Sequence, residues 1–200
     1  MWIKLESLAP WHAEGLAEAA RLGAYAFTPV PHGRREALAY ISRARSARKA
    51  GRSLAFAVID RRDDRILGST RFKNLYRWTP RSIAPNAVEI GNSWISDAAR
   101  GSGTNLEAKL LLLRHAFDTW GVRRVSMQVD TRNDRSRAAV EKLGATCEGV
   151  WRAHSLGLDG ELRSVASYSV LAEEWPAVRE IIEMRLSLHP APAYRLNVPA

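Results

Sequence analysis

The stretch "ARGSGTNLEAKLLLL", residues 99–113, decides how the rest of this chain is read. A basic residue and two glycines pass directly into a leucine-rich helix. The start of a helix presents unpaired N–H groups and the positive end of the helix dipole. Gly101 and Gly103 leave the backbone bare there, so a diphosphate can approach it closely. No Gly-Lys-Ser/Thr follows, which excludes a P-loop. A glycine turn before a helix is also an ordinary structural feature, and the surroundings must choose between the two.

Upstream lies "NAVEIGNSWIS", which has the composition of a strand over Asn86–Ser96. Downstream, Leu106, Leu110, Leu113, Phe117 and Trp120 recur at three- and four-residue intervals, which predicts a helix over Asn105–Trp120 packed on a sheet and ended by Gly121. Residues 2–8 read as a first strand. Trp11–Leu22 reads as a helix with an apolar stripe of Trp11, Leu16, Ala19 and Ala20, and Arg35–Ala50 reads as a basic helix. A hairpin follows over Ser53–Asp60 and Arg65–Tyr76. Past the opening stretch come a strand (Arg123–Asp130), the helix "NDRSRAAVEKLG" stopped by Gly144, and a closing hairpin around the turn "GLDGE". A last helix spans Glu173–Leu186. The order is β–α–α–β–β–β–α–β–α–β–β with an extra C-terminal helix, a mixed α/β fold. One βαβ crossover surrounds the glycine turn, which disfavours a dinucleotide fold.

Composition bounds the function. Two hundred residues suit one domain, expected over 1–186, with a proline-bearing tail over 187–200. The single cysteine, Cys147, excludes an internal disulfide, reads as a core residue rather than a nucleophile, and leaves no metal set at ligand spacing. No signal peptide and no membrane-spanning run is visible, so a cytoplasmic protein is expected. The formal charge of +9 attracts anions. Much of it sits in Arg34–Arg52, where arginines alternate with Leu38, Ile41 and Ala44. This pattern suits the solvated face of an amphipathic helix better than a nucleic-acid patch, because the exposed aromatics that stack bases are missing from it.

Arg-x-x-Gly-x-[small] between strand and helix, followed by "N-x-x-S…K-L-G-A", resembles the acetyl-CoA site of the GNAT superfamily of N-acetyltransferases. "VEIGNSW", "SGTNLEAKLLLLRHAFD" and "NDRSRAAVEKLGATCEGVWRAH" resemble its Rim-type branch, whose members acetylate N-terminal amines of ribosomal proteins and, in relatives, small-molecule amines. The likeness runs from about Trp2 to Arg179. It implies a GNAT fold with a mixed sheet of about seven strands, acetyl-CoA as co-substrate without a metal, an amine acceptor (a small molecule or a protein N-terminus) entering past "YAFTPVPHG" and "GLDGE", no membrane or nucleic-acid partner, and a monomer or homodimer. The alternatives are an acyltransferase that uses a larger acyl-CoA or acts on an antibiotic or aminoacyl nucleotide and, in another class, a basic nucleic-acid-binding module working through Arg34–Arg52.

The resemblance also implies a site. Trp94, Ile95 and Ser96 would pair their backbone with the pantetheine arm. Arg100, Gly101, Ser102, Gly103, Thr104 and Asn105 would cradle the pyrophosphate, with Asn105 where the pattern usually has Gly or Ala. Asn133 would bond the pantetheine near its sulfur, or act as a plain helix N-cap. Ser136 stands where Rim-type enzymes protonate the departing thiolate; the tyrosine that many relatives use is missing. Glu89, a carboxylate in an apolar strand, is costly to bury unless it is used or paired. It would be the general base, the alternative being a salt bridge to one of the arginines. His154 is a competing base, and Ser155 falls where the Rim-type glutamate would lie. The seven tryptophans are expected mostly in the core, with Trp78 and Trp151 as candidates for an acceptor pocket.

Overall fold

A computed structural model describes residues 1–189. In chain order the elements are β1 (Ile3–Ser7), α1 (Ala13–Ala20), α2 (Gly33–Lys49), β2 (Ser53–Asp60), β3 (Ile66–Tyr76), β4 (Ala87–Ile95), α3 (Thr104–Arg114), β5 (Arg124–Asp130), α4 (Asp134–Glu141), β6 (Thr146–Leu156), β7 (Leu162–Leu171) and α5 (Trp175–Ser187). The strands form one seven-stranded sheet in the order β1-β2-β3-β4-β5-β7-β6. All neighbours are antiparallel except β4 and β5, which run parallel because α3 carries the chain across between them. This is the mixed α/β architecture expected from the element order.

Two apolar clusters fix the layers. Leu16 of α1 and Tyr40, Ile41 and Ala44 of α2 pack with Ala57 and Ile59 of β2 and Trp94 of β4. Leu110, Leu112 and Leu113 of α3 pack with Phe72, Ile90, Val125, Met127 and Tyr168 of the sheet and with Ile182 of α5. Burying each such Leu or Ile stabilises the fold by about 1.5–3 kcal/mol relative to exposure. The helix after the glycine turn is not uniform: α3 passes at His115–Thr119 into one π-helical turn. That extra residue lets Ala116 and Phe117 both reach the core, and Phe117 stacks on Trp175.

Other expectations are corrected. Helix α1 begins later than its apolar spacing suggested, after a 3₁₀ turn at Pro10–His12, and leaves Trp11 75% exposed. Only Trp94 and Trp175 of the tryptophans are fully buried, whereas Trp11, Trp78 and Trp151 are exposed. Cys147 is exposed rather than core, because β6 is the edge strand and both its faces meet solvent. The tail expected over 187–200 lies, from residue 190 on, outside the described residues. No helix among the described residues is long and apolar enough to cross a membrane.

Candidate active site

The site starts from a defect in strand pairing. Parallel register between β4 and β5 holds for three pairs, Ala87↔Arg124, Val88↔Val125 and Glu89↔Ser126. Asn92 then adopts a left-handed backbone (φ 48°), and the β3–β4 register slips, with Ser69 opposite Trp94 but Arg71 opposite Gly91. Such an inserted residue bends a strand. Beyond Glu89, β4 keeps β3 as its neighbour and has no further register with β5. Between the two strands opens a cleft of ≈ 950 Å³, walled by Ile90–Ile95 on one side and Met127–Asp130 on the other.

One end of the cleft is the glycine turn. Gly101 (φ 77°) and Gly103 (φ 81°) are both left-handed, a conformation that costs other residues about 1–2 kcal/mol. Gly103 is the N-cap of the eleven-residue α3 and has no side chain of its own to cap it; the Thr104 N–H bonds the Ser102 hydroxyl at 3.4 Å, and the His189 ring lies beside Gly103, 3.3 Å from where a Cβ would stand, so the helix start meets the cleft next to that ring. Gly101, Gly103, Thr104 and Asn105 line the cleft, and so does Arg100. The Arg100 guanidinium bonds Asp97 and the Ala24 carbonyl and lies over the Tyr25 ring at 5.0 Å. It thus also ties the loop between α1 and α2 to the turn. The Tyr25 hydroxyl donates to the Ile95 carbonyl at 3.2 Å, and burial raises its pKa.

Two residues expected on the cleft wall do not line it. The Ser102 hydroxyl donates to the Ala99 carbonyl at 2.6 Å and shares a hydrogen with Thr104, closing the turn from behind. Ser96 is buried, and its N–H is spent on the Leu67 carbonyl at 2.7 Å. Trp94 and Ile95 do line the cleft.

The far wall carries Asn133 and Ser136. Asn133 caps α4, its Oδ1 accepting the Ser136 N–H at 3.1 Å, which leaves its amide hydrogens for another partner. The Ser136 side chain makes no hydrogen bond within the described residues and faces the cleft. Nearby, Arg132 grips Asp130 through two nitrogens, bonds Asp159 of the β6–β7 turn at 2.7 Å, and lies 5.6 Å from the Phe27 ring. The guanidinium holds the Asp130 carboxyl below its ordinary value. Three loops are thereby joined over one end of the cleft.

Glu89 is 2% exposed and stands behind the wall rather than on it. Its partner is a lysine, not an arginine: Lys73, opposite it in register on β3, approaches to 2.8 Å, and Asn74 donates to the other oxygen at 2.7 Å. Lys73 does line the cleft. Gly91 makes room for it, since a Cβ there would meet the Lys73 stem at 2.7 Å. His154 lies outside the cleft, exposed on β6 beside Trp151, with Nδ1 on the Ser155 hydroxyl at 3.2 Å. Trp78 and Trp151 are also off the cleft. Ser155 accepts from Arg163, which does reach it.

Sequence reasoning missed Asn92, Lys73, Arg132 and Lys109, all at the cleft. Asn92 carried a usable signal, because asparagine tolerates the left-handed conformation and follows a glycine in mid-strand. The others depend on which loops meet in space. Among the described residues no group of three or more His, Cys, Asp or Glu side chains is arranged to hold a metal ion.

The comparisons agree with this geometry. Residues 3–146 match the family described as the acetyltransferase (GNAT) domain. A solved structure from T. thermophilus, assigned to the acetyltransferases, is 31% identical over 93% of this chain and 94% of its own, with a TM-score of 0.77. A GCN5-related N-acetyltransferase from Brucella melitensis is 28% identical over 92% of this chain and 82% of its own, with a TM-score of 0.79. Mycobacterium smegmatis RimJ, solved with CoA-disulfide, shares the fold at 21% identity, a TM-score of 0.77 and coverage of 92% and 88%. No curated protein matches the sequence. With its glycine turn set at the end of a parted parallel strand pair, the chain belongs to the GNAT acetyltransferase family.

Proposed function

We propose that this chain transfers the acetyl group of acetyl-CoA to a primary amine by direct attack in a ternary complex. The observation that carries the proposal is the parting of β4 from β5 after the Glu89–Ser126 pair, with the glycine turn and the start of α3 at the end of the gap. A linear arm fits between the strands, where the unpaired edge of β4 can bond it as an added strand. A diphosphate fits at the start of α3, beside the His189 ring. Arg100, Arg135 and Arg185 line the same cleft and offset phosphate charge.

Acetyl-CoA supplies an activated acyl carbon and a thiol leaving group. The protein orients both reactants, which alone lowers the barrier by several kcal/mol. Gly101, Gly103, Thr104 and Asn105 hold the diphosphate, Trp94 and Ile95 border the arm, and the free amide hydrogens of Asn133 bond it. Ser136, whose hydroxyl is uncommitted, protonates the thiolate. Glu89 receives the acceptor's proton through water or past Lys73. The acceptor enters between the α1–α2 loop at Phe27 and the β6–β7 turn at Leu158, a small-molecule amine or a protein N-terminus. The catalytic unit is residues 1–186, with a monomer or homodimer in the cytoplasm.

The test is thiol release from acetyl-CoA against a panel of small amines and peptides with free N-termini. At least one acceptor accelerates release well above the rate without acceptor. A protein that binds CoA but transfers to none of them contradicts the assignment.

A further inference from the structure

Among the described residues one buried cation at the cleft has no carboxylate partner. Lys109 lies on α3 six positions past Gly103 and is 8% exposed. Its Nζ donates to the Ser93 hydroxyl at 2.7 Å, and Ser93 shares a hydrogen with Thr70 at 2.7 Å, directly after the Asn92 bulge. The one carboxylate of its own helix, Glu107, is turned to the backbone N–H groups of Trp2 and Ile3. Asp130 and Asp134 line the same cleft but are bound to Arg132 and Arg137. Lys73, also at the cleft, shows the contrast, since it faces Glu89 at 2.8 Å.

Burying an ammonium against a single hydroxyl and no anion penalises the charged form. Burial pushes the pKa of Lys109 down to about 8. At pH 7 about a tenth of it is then the neutral amine, against roughly one part in 3,000 for an ordinary lysine. The chain uses 25 arginines and only five lysines, and an arginine at this position could not lose its proton.

We propose that Lys109 is an acyl-acceptor site of the chain itself, its ε-amine taking the acetyl group from acetyl-CoA held in the β4–β5 cleft. This rests on the acetyl-CoA assignment above. The neutral Nζ forms a C–N bond to the thioester carbonyl carbon, and the C–S bond breaks with its electron pair going to sulfur. The proton lost from nitrogen passes by way of the Ser93 hydroxyl or water to the thiolate. The products are an amide and free CoA thiol, with no further reactant. The reaction exchanges a poorly compensated buried charge for a neutral group, so it runs with the local electrostatics rather than against them. It also fills the wall beneath the bulge, which makes it self-limiting when acyl donor exceeds amine acceptor.

The test incubates the full chain with acetyl-CoA and no acceptor, followed by intact mass and peptide mapping, with CoA-induced thermal shift measured on the same samples. One acetyl increment is expected at Lys109, forming at least about tenfold faster than at Lys4, Lys49, Lys73 or Lys142, in keeping with its larger neutral fraction. Lys109→Arg and Lys109→Met both lose the increment while CoA still raises the thermal midpoint of whichever variant folds. Gly103→Val, which blocks the helix start, slows Lys109 acetylation to the rate of the surface lysines. Normal CoA binding with Lys109 unmodified, or modified no faster than the other four, overturns this proposal and leaves the cofactor assignment standing. A wild-type chain showing neither thermal shift nor increment overturns both. Undiminished labelling in Gly103→Val shows that the cleft does not direct the reaction, and also overturns it.

Discussion

Glu89 of β4 lies opposite Ser126 of β5, and that pair is the last at which the two parallel strands hold register. Three residues later Asn92 takes a left-handed backbone and β4 slips against β3. The cleft is therefore a product of strand geometry rather than of a missing side chain.

The bulge can be tested directly. Asn92→Gly keeps access to φ 48° and changes stability by less than about 1 kcal/mol. Asn92→Val places a β-branched side chain in the left-handed region and costs about 1–2 kcal/mol. Urea unfolding of both variants reads the difference. Equal stabilities would show that the left-handed turn does not control the bulge.

The Lys73–Glu89 pair makes a second prediction. Lys73→Met leaves a buried carboxylate without its cation and destabilises by about 3 kcal/mol, whereas the double variant with Glu89→Gln costs less than that single change. Glu89→Gln alone keeps CoA binding and lowers kcat by about 10²-fold, the lower end for a positioned base. The loss shrinks as pH rises and the acceptor amine is already neutral. His154→Ala leaves kcat unchanged, because that ring lies outside the cleft. A kcat that depends on His154 and not on Glu89 would move the base to β6.

Lys109 gives a prediction in pH. Its pKa is about 8 in the folded chain, below the ordinary 10.5. Between those values the unfolded chain binds the extra proton and the folded chain does not, so stability gained from this residue rises with pH across that window. Below pH 8 both states carry the charge and the burial penalty is fully present. Lys109→Met therefore stabilises the protein at pH 7, by about 1–3 kcal/mol, and removes the rise between pH 8 and pH 10.5. An unchanged pH profile in Lys109→Met would mean that the ammonium is hydrated in solution.

Much of the architecture was legible from residues 86–144 alone. Strand, glycine turn, leucine helix, strand and asparagine-capped helix follow one another as their periodicities require, and local signals of this kind survive folding. Features set by distant parts of the chain were not legible. Trp11 has helical spacing with Leu16 yet faces solvent, because Pro10 starts a 3₁₀ turn before α1. Cys147 and Trp151 look like core residues in a strand, and only sheet order reveals that β6 is an edge. Glu89 stood out as a carboxylate in an apolar strand, but its partner could not be named without the β3–β4 register. Lys109 gave no warning at all, since a lysine on a helix ordinarily faces water.

The most direct test of the account is calorimetric titration of CoA into the wild-type chain and into Gly103→Val. Gly103 has φ 81° and is the N-cap of α3, so valine there both strains the turn and covers the helix start. Saturable binding of one CoA per wild-type chain is expected, with a raised thermal midpoint from the same ligand, and a loss of affinity of at least about 100-fold in a folded Gly103→Val variant. Binding of equal strength in the two proteins, or none in the wild type, would contradict it.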